Sequence, residues 1–587
     1  MKGFFKLTLA SILGVLIGLF IFILIILGIV SASSKEKPVI VEENTILYTE
    51  FSEPIVDRQP ESPFDFINPM SLTPEGRAGL DNILKNIRKA GEDENISGIV
   101  MNLSMIPTGM ATLNEIRDAL LEFKKSGKFI YSYSDIYTQG SYYLATAADK
   151  IYIAPQGQMV FMGLNAEVVF LKGTLDKMGI EFQVMKHGEY KGATEQLVYK
   201  KLSKENREQI QDYLNSLWNH ILEGVAEARD INLAELNRIA DNIEVNSAKT
   251  AFENKLVDGL MYYDEFLDTI KSLTGTAADK DIKSIDMKKY TRVPEKRESK
   301  GLERNKIAVI YAQGTIISGE GGDGYIGGDR YSKVIRQARR DSTIKAIVLR
   351  VNSGGGDGLA SDIIWREVKL AAEVKPVIAT MGDVAASGGY YIVAPATKII
   401  ANPNTLTGSI GVFGVWPNAQ KLANEKLGIT TDVVSTNEHS NFGSFLEPLS
   451  EFEKQKIQSE IDEFYKGFVE IVAEGRAMTV EEVDKIARGH VYSGSDALKI
   501  GLIDDFGGLE KAIQIAAEEA DLETYRIVKL PKLEDPIQKI IDDLTGNSQV
   551  KILEEQLGEN FYYYEQLKKL KDLSGIQAVM PYNVRIK

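Results

Sequence analysis

The amino-acid sequence predicts an α/β protein built as a tandem repeat, two α/β units in series behind an N-terminal apolar segment. Three observations predict it. Short signatures recur at a nearly constant offset, strand-like runs alternate with amphipathic helical runs in both halves, and one apolar stretch precedes the first unit. At 587 residues the chain is too long for a single core, so division into domains is expected.

The repeat comes first because it sets the boundaries. Val225-Ala226-Glu227-Ala228-Arg229 recurs as Val472-Ala473-Glu474-Gly475-Arg476, 247 residues later. Tyr142-Tyr143 recurs as Tyr390-Tyr391, and Val245-x-Ser247-x3-Ala251-x4-Leu256-x-Asp258 recurs as Val491-x-Ser493-x3-Ala497-x4-Leu502-x-Asp504. The two units span 44–272 and 305–520. An anchor over 1–34, a charged linker over 273–304 and a C-terminal extension over 521–587 complete the division.

Within each unit an opening strand is expected (Thr45–Phe51; Lys306–Ala312), then an apolar strand (Ile99–Leu103; Ile344–Val351), a loop and a helix. A further strand follows (Phe129–Ser132; Val377–Thr380), then strand, helix and strand, and a long amphipathic helix. In the first unit Ile210, Leu214, Leu217, Ile221 and Val225 share one face of that helix. In the second, Ser450-x-x-Glu453 is a capping-box pattern. Such alternation favours largely parallel sheets. A final strand is expected over Ile576–Ile586.

Residues Leu7 to Val30 are interrupted only by Thr8 and Ser11. As a helix they span about 36 Å, enough to cross a bilayer. Lys2 and Lys6 precede the run, which keeps the N-terminus in the cytoplasm and puts the chain beyond Lys35 outside it. The run is longer than a signal-peptide apolar region, so an uncleaved anchor is expected, although Ser31-Ala32-Ser33 offers small residues for cleavage.

Composition removes several chemistries. A net charge of −15 argues against nucleic-acid binding. There are no cysteines, which excludes thiol catalysis, disulfides and cysteine-held metals. Of the four histidines, none forms an H-E-x-x-H pair. No metal and no cofactor are implied.

The chemistry-bearing stretch is Met381 to Tyr391, with Ser387 between Ala385-Ala386 and Gly388-Gly389. It follows a strand-like run and leads into a buried helical run from Tyr391 to Ala394. Ser387 is thereby expected at a strand-to-helix turn, with the Gly388 amide aimed at a developing oxyanion. Taken alone, the stretch better suits a small-residue turn where a helix packs tightly on a strand. The second glycine loop, Asn352-Ser353-Gly354-Gly355-Gly356, lacks the lysine of a phosphate loop. It is expected to supply the other oxyanion donor through Gly355 or Gly356, or to be a plain connector.

The halves differ where the chemistry lies. Ser387 aligns with Gln139, and the glycine loop aligns with Leu103-Ser104-Met105-Ile106-Pro107. Conversely Tyr190-Lys191-Gly192-Ala193 aligns with His439-Ser440-Asn441-Phe442, so the second half lacks that lysine. One half is expected to supply a nucleophile and the other a base. A serine hydroxyl needs a proton acceptor, and lysine serves if burial lowers its pKa. Alone, Lys191 reads as a surface lysine, since lysine is rarely buried.

Four motifs in order carry a resemblance: Asn352 to Gly356, Ala385 to Tyr391, Leu406-Thr407-Gly408-Ser409-Ile410-Gly411, and Gly489-His490-Val491-Tyr492-Ser493-Gly494. Together with the anchor and the repeat they resemble the signal peptide peptidase A (protease IV) family in its long, membrane-anchored, two-domain form. The resemblance implies a Clp protease/crotonase-like fold in each half and a serine endopeptidase with a Ser–Lys dyad. It implies Ser387 as nucleophile, Lys191 as base and Ser409 as the group that holds the lysine amine. It also implies a homotetramer in the bacterial cytoplasmic membrane, facing the extracytoplasmic side, with signal-peptide remnants as substrates. Gly354 stands where the family often has proline, and Gly192 where serine is sometimes found.

The segment Thr407–Val415, including Gly408, Ile410 and Gly411, is expected to take substrate backbone as an added strand. Two other functions remain open at this point. One is a crotonase-like acyl-thioester enzyme on a coenzyme A substrate, which needs no nucleophilic serine. The other is a catalytically silent membrane scaffold.

Overall fold

The computed structural model describes residues 39–59, 76–294, 303–533 and 575–579, with four positions of the N-terminal apolar run (13, 14, 17 and 18). The expected anchor otherwise lies outside the described residues. Among the described residues no helix is long and apolar enough to cross a membrane.

Each half is built on a six-membered path of strands. The first sheet runs Gly259–Leu260, Lys150–Met159, Phe129–Tyr137, Ile96–Asn102, Thr45–Thr49, Ser284–Asp286, and every pairing in it is parallel. The second runs Val491–Ser493, Leu406–Gly408, Val377–Ala386, Ile344–Ser353, Lys306–Gln313, Arg526–Leu530. There only the Leu406–Gly408 pairing with Val491–Ser493 is antiparallel. Runs such as Ile347-Val348-Leu349 suit this setting: parallel strands are covered on both faces and so lose the polar alternation of a half-exposed strand. The long helices Lys204–Arg229 and Glu451–Arg476 are each 26 residues. The predicted face of the first is buried at Ile210, Leu214, Leu217, Ile221 and Val225. The second opens on the predicted capping box of Ser450 and Glu453.

Three stretches differ from the sequence reading. The strand expected over Val377–Thr380 continues to Ala386, so Met381 to Ala386 are strand rather than turn. Within the linker, Ser284–Asp286 lies parallel to Thr45–Thr49 as an edge strand, and Tyr290 behind it is fully buried. In the C-terminal extension, Arg526–Leu530 lies in the same way along Lys306–Gln313. Each repeat therefore carries one more strand than its boundaries allowed. Of the strand expected over Ile576–Ile586, the structure describes Gly575–Val579; the remainder lies outside the described residues.

A third sheet joins the halves. Its order is Tyr325–Gly327, Thr315–Ile317, Gly355–Asp357, Gly575–Val579, Val412–Asn418, Glu181–His187. The last two strands, one from each half, pair antiparallel from Val412↔His187 to Asn418↔Glu181. The apolar core is likewise shared: Leu47, Ile99 and Leu113 of the first half lie in one cluster with Ile307, Val309, Val348 and Leu509 of the second.

Buried charge welds the halves beside these strands. Arg350 is fully buried, donates to Asp57 Oδ1 at 2.8 Å and to Met381 O at 3.1 Å, and pairs with Glu115 Oε1 at 2.7 Å. Helix caps are exchanged as well. Asp383 accepts from the Thr112 amide at 3.0 Å in the first turn of Met110–Lys124, while Glu115 on that helix accepts from Leu509 N at 2.9 Å, opening Leu509–Glu519.

Candidate active site

Strand Val377–Ala386 delivers Ser387 to the N-cap of the short helix Gly388–Val393. Ser387 has φ 56° and ψ −119°, a backbone conformation that costs a non-glycine residue roughly 1–3 kcal/mol. Its amide donates to Gly408 O at 2.8 Å, which fixes the turn against strand Leu406–Gly408. The amides of Gly388 and Gly389 fall in the helix's first turn, where no intrahelical acceptor exists.

Lys191 comes from the other half, on the loop between strand Glu181–His187 and helix Glu195–Val198. It is 0 % exposed, and so are Ser387 and Ser409. Lys191 Nζ donates to Ser387 Oγ at 2.8 Å, to Ser409 Oγ at 3.0 Å and to Ser409 O at 3.0 Å. Burial pushes the Lys191 pKa well below the ordinary lysine value, so the ammonium gives up its proton readily. Ser409 also has a positive φ, 51°, and its amide donates to His490 O at 2.6 Å. The split seen between the repeats is thus joined in space.

The remaining predicted residues divide. Gly408 and Gly411 frame Ser387 and Lys191. Gly408 O holds the Ser387 amide, and a side chain on Gly411 would lie 3.3 Å from Lys191 Cδ. Ile410 is fully buried, and its carbonyl accepts from Gly489 N at 2.8 Å. The strand expected over Thr407–Val415 is broken at Ser409–Gly411, and only Val412–Asn418 reaches the third sheet. In the glycine loop, the Gly355 amide donates to Ser353 Oγ at 3.1 Å, and Gly355–Asp357 forms a short strand. As described, the Gly355 donor is therefore engaged by Ser353.

Two residues that hold the site were given no role in the sequence reading. Gln209, fully buried on the long helix, donates from Nε2 to Tyr190 O at 2.9 Å and accepts at Oε1 from Val491 N at 3.0 Å. One side-chain amide thereby fixes the loop of Lys191 to the strand beside Ser409. Gly489, at φ 82°, lies against Lys191; a Cβ there would be 2.7 Å from Lys191 Cα and Cβ. The signal for Gly489 was its motif, Gly489-His490-Val491. Gln209 carried no sequence signal.

The counterpart site in the first half is plugged. Gln139, aligned with Ser387, donates to Gly163 O at 2.8 Å and accepts from the amides of Met162 and Gly163 at 2.7 and 2.8 Å. Met162 and Gly163 precede Ser409 and Ile410 by 247 residues, the repeat offset.

The profile of peptidase family S49 matches residues 122–276 and 369–523, two segments set 247 residues apart. Protease 4 of Salmonella typhi is 37% identical over 481 residues, covering 80% of this chain and 76% of that protein. The chloroplastic serine protease SPPA of Arabidopsis thaliana is 36% identical over 475 residues, covering 80% and 69%. Protease 4 of Haemophilus influenzae is 36% identical over 446 residues, covering 74% and 71%. Among solved structures, ClpP1 from Listeria monocytogenes aligns with 35% of this chain and 94% of its own, at 17% identity and a TM-score of 0.23.

Proposed function

The chain belongs to peptidase family S49 and is a serine endopeptidase, and from that premise we propose that Ser387 is its nucleophile and Lys191 its general base. The observation that carries this reading is the 2.8 Å contact between Lys191 Nζ and Ser387 Oγ, closed to solvent.

Neutral Lys191 takes the proton from Ser387, and the freed oxygen attacks a peptide carbonyl. The Gly388 amide receives the developing oxyanion, joined by Gly355 or Gly356 once Ser353 yields. Loss of one such donor costs roughly 10²–10³ in rate. Lys191 then protonates the leaving amine, and water resolves the acyl-enzyme. Ser409 keeps the amine on the line between base and nucleophile. The acyl-thioester alternative leaves this buried lysine on a serine hydroxyl without a role.

Substrates are extended apolar peptides, signal-peptide remnants above all, taken up as an added strand along Gly355–Asp357 and Val412–Asn418, in the place that Gly575–Val579 holds in this structure. Backbone pairing supplies affinity there, and pockets for alternate side chains supply choice. The finer assignments belong to the same proposal. Each half has the Clp protease/crotonase-like fold, Leu7 to Val30 is an uncleaved single-pass anchor in a bacterial cytoplasmic membrane, and the catalytic halves face outward as a homotetramer.

The test compares cleavage of an apolar signal-like peptide by the parent, Ser387→Ala and Lys191→Ala. Circular dichroism and sedimentation show whether each variant is folded and assembled. Both variants are expected to lose turnover while remaining folded. Cleavage by Ser387→Ala at the parent rate overturns the assignment.

A further inference from the structure

We propose that His490 is a positioning residue for the reaction: a neutral imidazole wedged between Tyr190 and Tyr492, it holds Lys191 against Ser409, and taking up a proton releases it. The inference rests on the functional reading above and gives that reading a second titrating group.

The geometry comes first. The His490 ring centroid lies 4.5 Å from that of Tyr190 and 4.4 Å from that of Tyr492, the second pair stacked at 27°. Tyr190 immediately precedes Lys191 in the first half, and Tyr492 lies on strand Val491–Ser493 of the second. The backbone of His490 serves the other side of the amine. Its carbonyl accepts from the Ser409 amide at 2.6 Å, and its own amide donates to Ala487 O at 3.0 Å. Ser409 in turn receives Lys191 Nζ at both its hydroxyl and its carbonyl. One residue thus touches the neighbour of the base with its ring and the holder of the base with its main chain. Lys191 lies on a loop, outside any helix or strand, so its place depends on such contacts.

The wedge suits the neutral ring and not the cation. Nδ1 is buried and has no hydrogen-bond partner. A proton there adds a charged donor with no acceptor in place, which is costly away from water. The ring is faced by the phenols of Tyr190 and Tyr492, by Glu208 and Asp212 on helix Lys204–Arg229, and by Asp496 on helix Gly494–Lys499. Arg488, two residues earlier, is paired with Asp484 and Glu189. Burial lowers the His490 pKa below the ordinary histidine value, although the Val491 carbonyl and the three carboxylates favour the proton. Such a shift means that the wedge holds the neutral form more tightly than the charged one. Acid therefore acts twice. It returns a proton to Lys191, and it draws the His490 ring toward water, which frees the Lys191 loop.

The test compares the parent, His490→Ala and His490→Phe by kcat and KM on an apolar reporter peptide, from about pH 4 to pH 9, with a melting temperature for each. His490→Ala is expected to lower kcat by on the order of 10² with KM little changed, as displacing a base by about 1 Å does. His490→Phe refills the wedge without a titrating group and is expected to recover most of that loss. On the acid limb the parent is expected to fall about a hundredfold per pH unit and His490→Phe about tenfold, since only Lys191 titrates in the variant. A folded His490→Ala with parental kcat overturns the positioning role, and so does a folded His490→Phe as slow as His490→Ala. Acid limbs of equal slope in the parent and His490→Phe overturn the release by a proton. Each of these results leaves the functional reading standing, because the parent still cleaves the reporter. A folded parent that cleaves nothing removes that reading and this inference together.

Discussion

Arg350→Met is expected to unfasten the two halves, and the size of the effect follows from what the guanidinium touches. Arg350 has no exposed surface; it satisfies Asp57 at 2.8 Å and Glu115 at 2.7 Å, both from the first half, and Met381 O at 3.1 Å on the strand that ends at Ser387. Methionine fills much of the volume but leaves two buried carboxylates without a cation. Removing one partner of a buried pair costs about 3–5 kcal/mol. For a protein of this kind that lowers the melting temperature by on the order of 10 °C. The loss depends on pH with a definite sign. Burial already raises the Glu115 carboxyl above its ordinary range, and Arg350 opposes that rise. Without Arg350 the folded pKa climbs further, so stability is retained below the unfolded carboxyl value of about 4.3 and lost as pH rises through the folded value. Calorimetry from pH 5 to pH 9 reads the effect directly, and the deficit should widen with pH. Adding Asp57→Asn and Glu115→Gln should recover most of it, because neutral groups replace stranded charges. A melting point for Arg350→Met within about 2 °C of the parent at pH 8 would refute the reasoning.

Three further outcomes are expected. Turnover rises with pH through the Lys191 pKa, which burial sets well below 10.5; across the same window the unfolded chain binds the extra proton, so stability also rises with pH. A kcat profile flat from mildly acidic to alkaline pH contradicts the neutral-lysine base. Gly489→Ala combines a positive φ with a Cβ 2.7 Å from Lys191, and displacing the base by about 1 Å should cost on the order of 10² in kcat; an unchanged kcat would show that the loop gives way freely. Gln209→Ala strands Tyr190 O and Val491 N, at about 1–3 kcal/mol for each unpaired group, and should lower kcat beyond what its melting point explains; parental kcat in the folded variant counts against the clamp.

What the sequence disclosed about the site came from contrast between the halves. Gln139 facing Ser387 and Ser440 facing Lys191 indicated that neither half was complete, and the structure brings Lys191 and Ser387 to 2.8 Å. Strand and helix order was legible because a constant offset let each half check the other. The edge strands Ser284–Asp286 and Arg526–Leu530 escaped because each is short and set in charged sequence, with pairing partners more than two hundred residues away. Gln209 escaped for a related reason. A glutamine on an amphipathic helix looks like a surface residue until a neighbouring loop and strand are seen to lack a donor and an acceptor there. Arg350 carried a signal that was not used: a charge between Leu349 and Val351, in the buried stretch of a strand whose other charge, Lys345, is exposed, requires a buried counter-charge.

The plugged first site explains why the duplicated chain keeps both halves. Gln139 satisfies the loop amides of Met162 and Gly163 with its own side chain, so the turn that carries Ser387 in one half is a structural joint in the other. Putting serine at residue 139 supplies neither the glycine loop, absent from Leu103 to Pro107, nor a lysine, since Ser440 aligns with Lys191. The lost chemistry of each half is supplied by its neighbour, and the contacts that supply it are also those that hold the halves together. Strand Val412–Asn418 pairs along its length with Glu181–His187, the strand that leads to Lys191. Any motion that parts the two halves must therefore withdraw Lys191 from Ser387, and on the proposed mechanism a chain that has not closed this joint has an unactivated serine.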